Sequence, residues 1–131
     1  MKNFPGKIRM VVKQYPYRYR DFSIIASEAA LAAGEQGKFW EMHHLLLLNS
    51  PDLDRGNLLR CAREIGLDLG KFTNSLDGAK HAYVIERDRK LAESLDLYST
   101  PTYFINGRKV VGDRDYEYLR EIVEEELAAA K

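Results

Sequence analysis

At 131 residues, with twenty basic side chains set against twenty acidic ones, the chain is one domain's worth of polypeptide without net charge. Its 45% hydrophobic and 31% charged composition is that of a globular core and excludes extensive disorder, and no Lys/Arg cluster interleaves with aromatics as a nucleic-acid groove requires. The longest apolar run, Leu45 to Leu48, is far too short to span a bilayer, so neither membrane nor nucleic acid is expected among its partners.

In chain order, Met1-Lys2-Asn3-Phe4-Pro5 presents no apolar stretch of the kind an export signal needs. Lys7 to Lys13 alternates well enough to predict a strand, with Ile8, Met10 and Val12 on one face. A polar and aromatic loop, Tyr15 to Asp21, follows. Ser23 to Ala33 is rich in Ala, Glu and Leu and reads as a helix that Gly34 stops. Further helices are expected over Lys38–Leu48, Asp54–Ile65 (ended by Gly66), Asp68–Leu76 and Ala79–Leu95. Thr102–Ile105 and Arg108–Val111 read as two short strands joined at Asn106-Gly107, a two-residue hairpin signal. The last helix runs from about Asp115 to Ala129, with Leu119, Ile122, Val123 and Leu127 along one stripe.

Few residues carry chemistry. The one cysteine, Cys61, lies between Leu58-Leu59 and Ile65 on a predicted helix, where a buried structural thiol is preferred to a reactive or intermolecular one. A single cysteine forms no internal disulfide, so cysteine usage leaves the redox compartment open. His43 and His44 are adjacent, hence about 100° apart on a helix, and cannot chelate one metal. Glu41 and His44 share a face, but two ligands do not make a zinc site. No metal and no cofactor is expected, and His81 has no obvious partner. Trp40, Phe39 and Met42 read as packing of the helical part, the Tyr15–Arg20 loop as solvated stacked tyrosines, and Glu124-Glu125-Glu126 as a solvated helix face.

Three stretches together resemble the DsbA-like thiol–disulfide oxidoreductases, which have a thioredoxin fold with a helical domain inserted before the cis-proline. They are Ala29 to His43, Glu64-Ile65-Gly66-Leu67-Asp68, and Thr100-Pro101-Thr102-Tyr103-Phe104-Ile105-Asn106-Gly107-Arg108. The resemblance implies an α/β, thioredoxin-like (DsbA-type) fold in a single domain over residues 1–131. Its helical insertion covers about 23–95, and the cis-proline hairpin with the C-terminal helix covers about 98–129. It also implies that Pro101 is cis and that Thr100 and Pro101 form the substrate-facing loop, against which extended or unfolded peptide docks by strand-like pairing.

The family's Cys-x-x-Cys, which opens its first helix, has no counterpart in this sequence. Asn3 to Lys7 resembles the end of that helix and the turn into the second strand, so the first strand and the catalytic helix start are expected to be missing. Disulfide exchange needs a low-pKa thiolate; no catalytic residue is therefore assigned, and the chain is expected to be redox-inactive although its relatives are oxidoreductases or isomerases. A core lacking its first strand leaves backbone groups unpaired, at roughly 1–3 kcal/mol for each buried one. A homodimer, a strand-donating partner, or residues 8–13 sliding into the vacant place is the expected remedy. Three readings follow: an oxidoreductase whose redox segment is lost, a cysteine-less peptide binder acting through Thr100-Pro101, and a structural module that dimerises through its sheet edge. The family usually works outside the cytoplasm; the location of this chain stays open.

Overall fold

The computed structural model describes residues 2–130. It contains α1 (Ser23–Gly34), α2 (Phe39–Asn49), α3 (Arg55–Glu64), α4 (Leu69–Asp77), α5 (Ala82–Ser94), the strands β1 (Thr102–Ile105) and β2 (Arg108–Val111), and α6 (Tyr116–Ala129). These fall into two compact units, one of residues 13–91 and one of residues 2–12 with 92–130. Among the described residues no helix is long and apolar enough to cross a membrane.

The first unit is helical. Its centre is α1, where Ala26, Ala29, Ala30, Ala32 and Ala33 are all buried. Side chains of a single methyl let α2 and α4 approach closely, and the space is filled by Met42, Leu58, Cys61 and Phe72 from the surrounding helices. Caps hold the helix starts. Asp54 accepts from the Asn57 N–H at 3.0 Å to open α3, and Asp68 accepts from the Lys71 N–H at 3.0 Å to open α4.

Four helices end with the same paired bonds, in which a backbone N–H reaches back to the carbonyl five residues earlier. The bonds are Lys38 to Ala33 (2.9 Å), Leu67 to Ala62 (3.0 Å), Lys80 to Ser75 (3.1 Å) and Leu97 to Ala92 (2.9 Å). The left-handed residue of each is Gly37, Gly66, Ala79 and Asp96. Gly34, the expected stop of α1, is thus its last helical residue, and Gly37 makes the turn. Ala79, at φ 45, takes this conformation with a Cβ in place.

In the second unit β1 and β2 form an antiparallel hairpin with Tyr103 opposite Val110 and Phe104 opposite Lys109. Asn106 at φ 48 and Gly107 at φ 92 supply the two positive φ values that such a turn needs. The α6 helix is opened by Asp115, which accepts from the Tyr118 N–H at 2.8 Å, and packs on β1. Val110 and Ile122 are its buried apolar side chains. Arg108 is held to Glu125 at 2.5 Å, and Asn3 donates its amide to the Tyr116 hydroxyl.

The strand expected over Lys7–Lys13 is not formed. Residues 8–17 run without regular structure, with Met10 and Val11 exposed and Ile8 and Val12 half-buried. The alternation of Ile8, Met10 and Val12 offers an apolar face, but a strand also needs a neighbour for its N–H and C=O groups. Among the described residues the sheet holds β1 and β2 alone. Past this segment the Gln14 N–H donates to the buried Asp88 carboxylate at 3.0 Å, which Lys13 and Arg87 neutralise at 3.5 and 3.1 Å.

Candidate functional site

The Thr100–Pro101 peptide bond is cis, as is Ser50–Pro51. Around Pro101 the backbone is tied from both sides. The Thr102 hydroxyl donates to the Ser99 carbonyl at 2.8 Å, and the Gly112 N–H donates to the Pro101 carbonyl at 2.8 Å, extending the β1–β2 ladder by one bond. Thr100 and Pro101 therefore sit together, exposed, at the entrance to β1. β2 pairs with one edge of β1; the other edge has no strand partner among the described residues. Tyr98, Phe104 and Val111 leave apolar surface open to solvent nearby in the chain.

Cys61 belongs to the other unit and to its core. It lies in the middle of α3, is 1% exposed, and has the Asn49 side-chain amide 3.8 Å from its sulfur. Burial pushes its thiol above the ordinary range, more than the nearby Arg60 charge lowers it. A low-pKa nucleophile at a helix N-terminus is the reverse of this environment in charge, position and access.

The remaining candidates have structural partners. His43 stacks on Phe39 with ring centres 5.7 Å apart and meets Trp40 edge-on at 5.8 Å. Burial, and then the charge of His44, lower its pKa. Glu41 pairs with Lys38 at 3.3 Å, and no group of three possible metal ligands occurs among the described residues. The Tyr15–Arg20 loop is indeed a stack: Tyr17 and Tyr19 lie parallel at 5.3 Å, Tyr15 meets Tyr17 edge-on, and the Arg89 guanidinium covers Tyr15 at 4.8 Å.

His81, unpartnered by sequence reading, anchors a network between α1 and the α4–α5 turn. Its ring Nε2 meets the Glu35 carboxylate, which also accepts from the Ser75 hydroxyl and from Lys80 Nζ, each at 2.8 Å. Hydrogen bonds from Lys80 and then Ser75 hold the Glu35 pKa down at about 2. The His81 backbone N–H donates to Glu28 Oε2 at 3.0 Å, while burial raises the Glu28 carboxyl above its ordinary range. The partners of His81 stand 46 and 53 residues away, so no local pattern announces them.

A helical block leading into a cis-proline, a short hairpin and a closing helix defines a thioredoxin-like fold of the type found in DsbA-like thiol–disulfide oxidoreductases. The family model described as Thioredoxin matches residues 2–125, and the chain belongs to that family. Among solved structures it is similar to the thiol-disulfide exchange protein alpha-DsbA2 from Wolbachia pipientis, at TM-score 0.81 and 27% identity over 92% of this chain and 66% of that one. It is also similar to a thioredoxin-like oxidoreductase from Silicibacter pomeroyi DSS-3, at TM-score 0.77 and 28% identity over 88% of this chain and 66% of that one. Among curated proteins it is 40% identical over 110 residues to the Na(+)/H(+) antiporter NhaA 3 of Salinispora tropica, covering 84% of this chain and 17% of that protein. It is 37% identical over 125 residues to the Na(+)/H(+) antiporter NhaA 1 of Salinispora arenicola, covering 95% of this chain and 19% of that protein. The chain thus spans less than a fifth of these curated relatives' length.

Proposed function

We propose that this chain, as it stands, carries the scaffold of a thiol–disulfide oxidoreductase without performing dithiol–disulfide exchange, and that it acts by binding. The observation that carries the reading is the state of its one sulfur: Cys61 is mid-helix, 1% exposed, and its thiol is raised by burial. Exchange requires a thiolate to attack a disulfide, and a second thiol to release the mixed disulfide that forms. Neither requirement is met by this sulfur. In an insulin-reduction assay driven by dithiothreitol, the protein should not accelerate precipitation; a rate gain that Cys61→Ser abolishes would refute the reading.

The open edge of β1 favours a second element of the same reading. An extended peptide, or a strand from another chain, laid along Thr102–Ile105 would pair with main-chain groups beside Thr100 and Pro101. Binding of a carboxymethylated, unfolded polypeptide should be lost in Phe104→Pro, which removes a backbone donor inside β1, and retained in Cys61→Ser. Binding unchanged in Phe104→Pro would contradict it.

A further inference from the structure

Two carboxyl groups, Glu28 within α1 and Glu35 at its C-cap, reach the same residue of the α4–α5 turn, His81, and find opposite surroundings there. Glu35 is partly open to water and accepts from the Ser75 hydroxyl, from Lys80 Nζ and from the His81 ring. That set of donors favours a charged carboxylate. Glu28 is 3% exposed; its Oε2 accepts from the His81 N–H at 3.0 Å, and its Oε1 is sealed from solvent with no hydrogen-bond partner among the described residues.

A buried carboxylate keeps its charge when a cation or several donors surround it, and otherwise reverts to its neutral form. The groups around Glu28 are committed elsewhere. From the α4–α5 turn, Lys80 goes to Glu35 at 2.8 Å and the His81 ring to the same carboxylate, which leaves the His81 backbone N–H for Glu28. On α5 and in the loop before α1, Arg18 pairs with Glu86 at 3.6 Å, and Arg89 donates to the Pro16 carbonyl and covers Tyr15. Burial opposes the charge on Glu28 more than the His81 N–H and a protonated His81 ring ease it.

We propose that Glu28, Glu35 and His81 form a pH-sensitive clasp between α1 and the α4–α5 turn, closed while Glu28 is neutral and Glu35 charged, and loosened when Glu28 ionises. The new charge has one donor inside the fold and gains others only if the turn draws back from α1 and admits water. In the folded chain the Glu28 pKa lies above the ordinary 4.5. Its contribution to stability is therefore intact below about pH 4.5 and is lost as pH rises through the folded value. The Glu35 network, whose carboxyl is held at about 2, has the opposite slope and is already formed in that range. The clasp uses neither Cys61 nor the Thr100–Pro101 loop.

The direct readout is the side-chain carboxyl ¹³C signal of Glu28, assigned through its own backbone and followed in a pH titration of the labelled protein. Its midpoint should lie above pH 4.5. The hydrogen-exchange protection of the Lys80 and His81 amides, corrected for the intrinsic rate, should fall in step with that signal. Both readouts come from the unaltered protein and do not depend on a variant's folding. Glu28→Gln keeps an acceptor for the His81 N–H and carries no charge at any pH, so there the protection should hold over the same range. A Glu28 midpoint at or below 4.5, or protection that persists while Glu28 ionises, would overturn the proposal. So would an equal fall of protection in Glu28→Gln, which would place the switch in His81 alone.

Discussion

Cys61 should react with an aromatic disulfide reagent about a thousandfold more slowly in the native protein than in guanidinium. The sulfur shares one buried cluster with Met42, Leu58, Ala62 and Phe72, so a reagent reaches it only after α3 leaves that cluster. Domains of this size have 5–15 kcal/mol of total stability, and an element packed in the core opens only at a substantial fraction of it. An opening cost of about 4 kcal/mol, at 1.4 kcal/mol per factor of ten, gives roughly the thousandfold factor. Thiolate supply acts in the same direction: an ordinary thiol is about 3% ionised at pH 7, and burial lowers that fraction for Cys61. The assay is the release of the coloured thiolate at pH 7, timed with and without denaturant. A native rate within about tenfold of the denatured one would show that the sulfur is accessible, and would refute the reasoning.

Phe72→Ala, at a fully buried position, should cost about 3–5 kcal/mol and lower the guanidinium midpoint of the helical signal correspondingly. Glu35 has a pKa near 2 against an ordinary 4.5, so its network contributes stability that is complete above about pH 4.5 and is lost as pH falls towards 2. The stability gap between the unaltered protein and Glu35→Gln should therefore narrow in urea titrations as pH falls from about 4.5 towards 2; a gap that does not narrow over that range contradicts the assignment. Ala79→Gly should raise the thermal midpoint by relieving a left-handed alanine, a gain of about 1 kcal/mol, whereas a loss would mean that the alanine methyl packs usefully.

The regular elements were legible because each carries a local signal. Asn106-Gly107 marks the hairpin, Asp54, Asp68 and Asp115 mark helix starts, and the apolar spacing of α6 marks its buried side. The strand expected at Lys7–Lys13 shows the limit of that logic. Alternation describes a face, while a strand is completed by a partner that the segment itself does not contain. The same distinction divides the sites. Thr100-Pro101 is a contiguous motif, and the burial of Cys61 follows from Leu58, Ala62 and Ile65 around it. The Glu35–Ser75–His81 network joins residues 40 and 46 positions apart, and the free oxygen of Glu28 is a property of packing. Gly34 marks the end of α1 to within a residue, being its last helical position, while the left-handed turn that closes the helix falls three residues later at Gly37.

The insulin-reduction assay tests the central claim most directly, because it asks whether this scaffold exchanges disulfides at all. With dithiothreitol as reductant, the account predicts a precipitation rate equal to that without the protein, for the unaltered chain and for Cys61→Ser alike. Acceleration by the unaltered chain that disappears in Cys61→Ser would show a working thiol where the structure places a buried one, and would contradict the account.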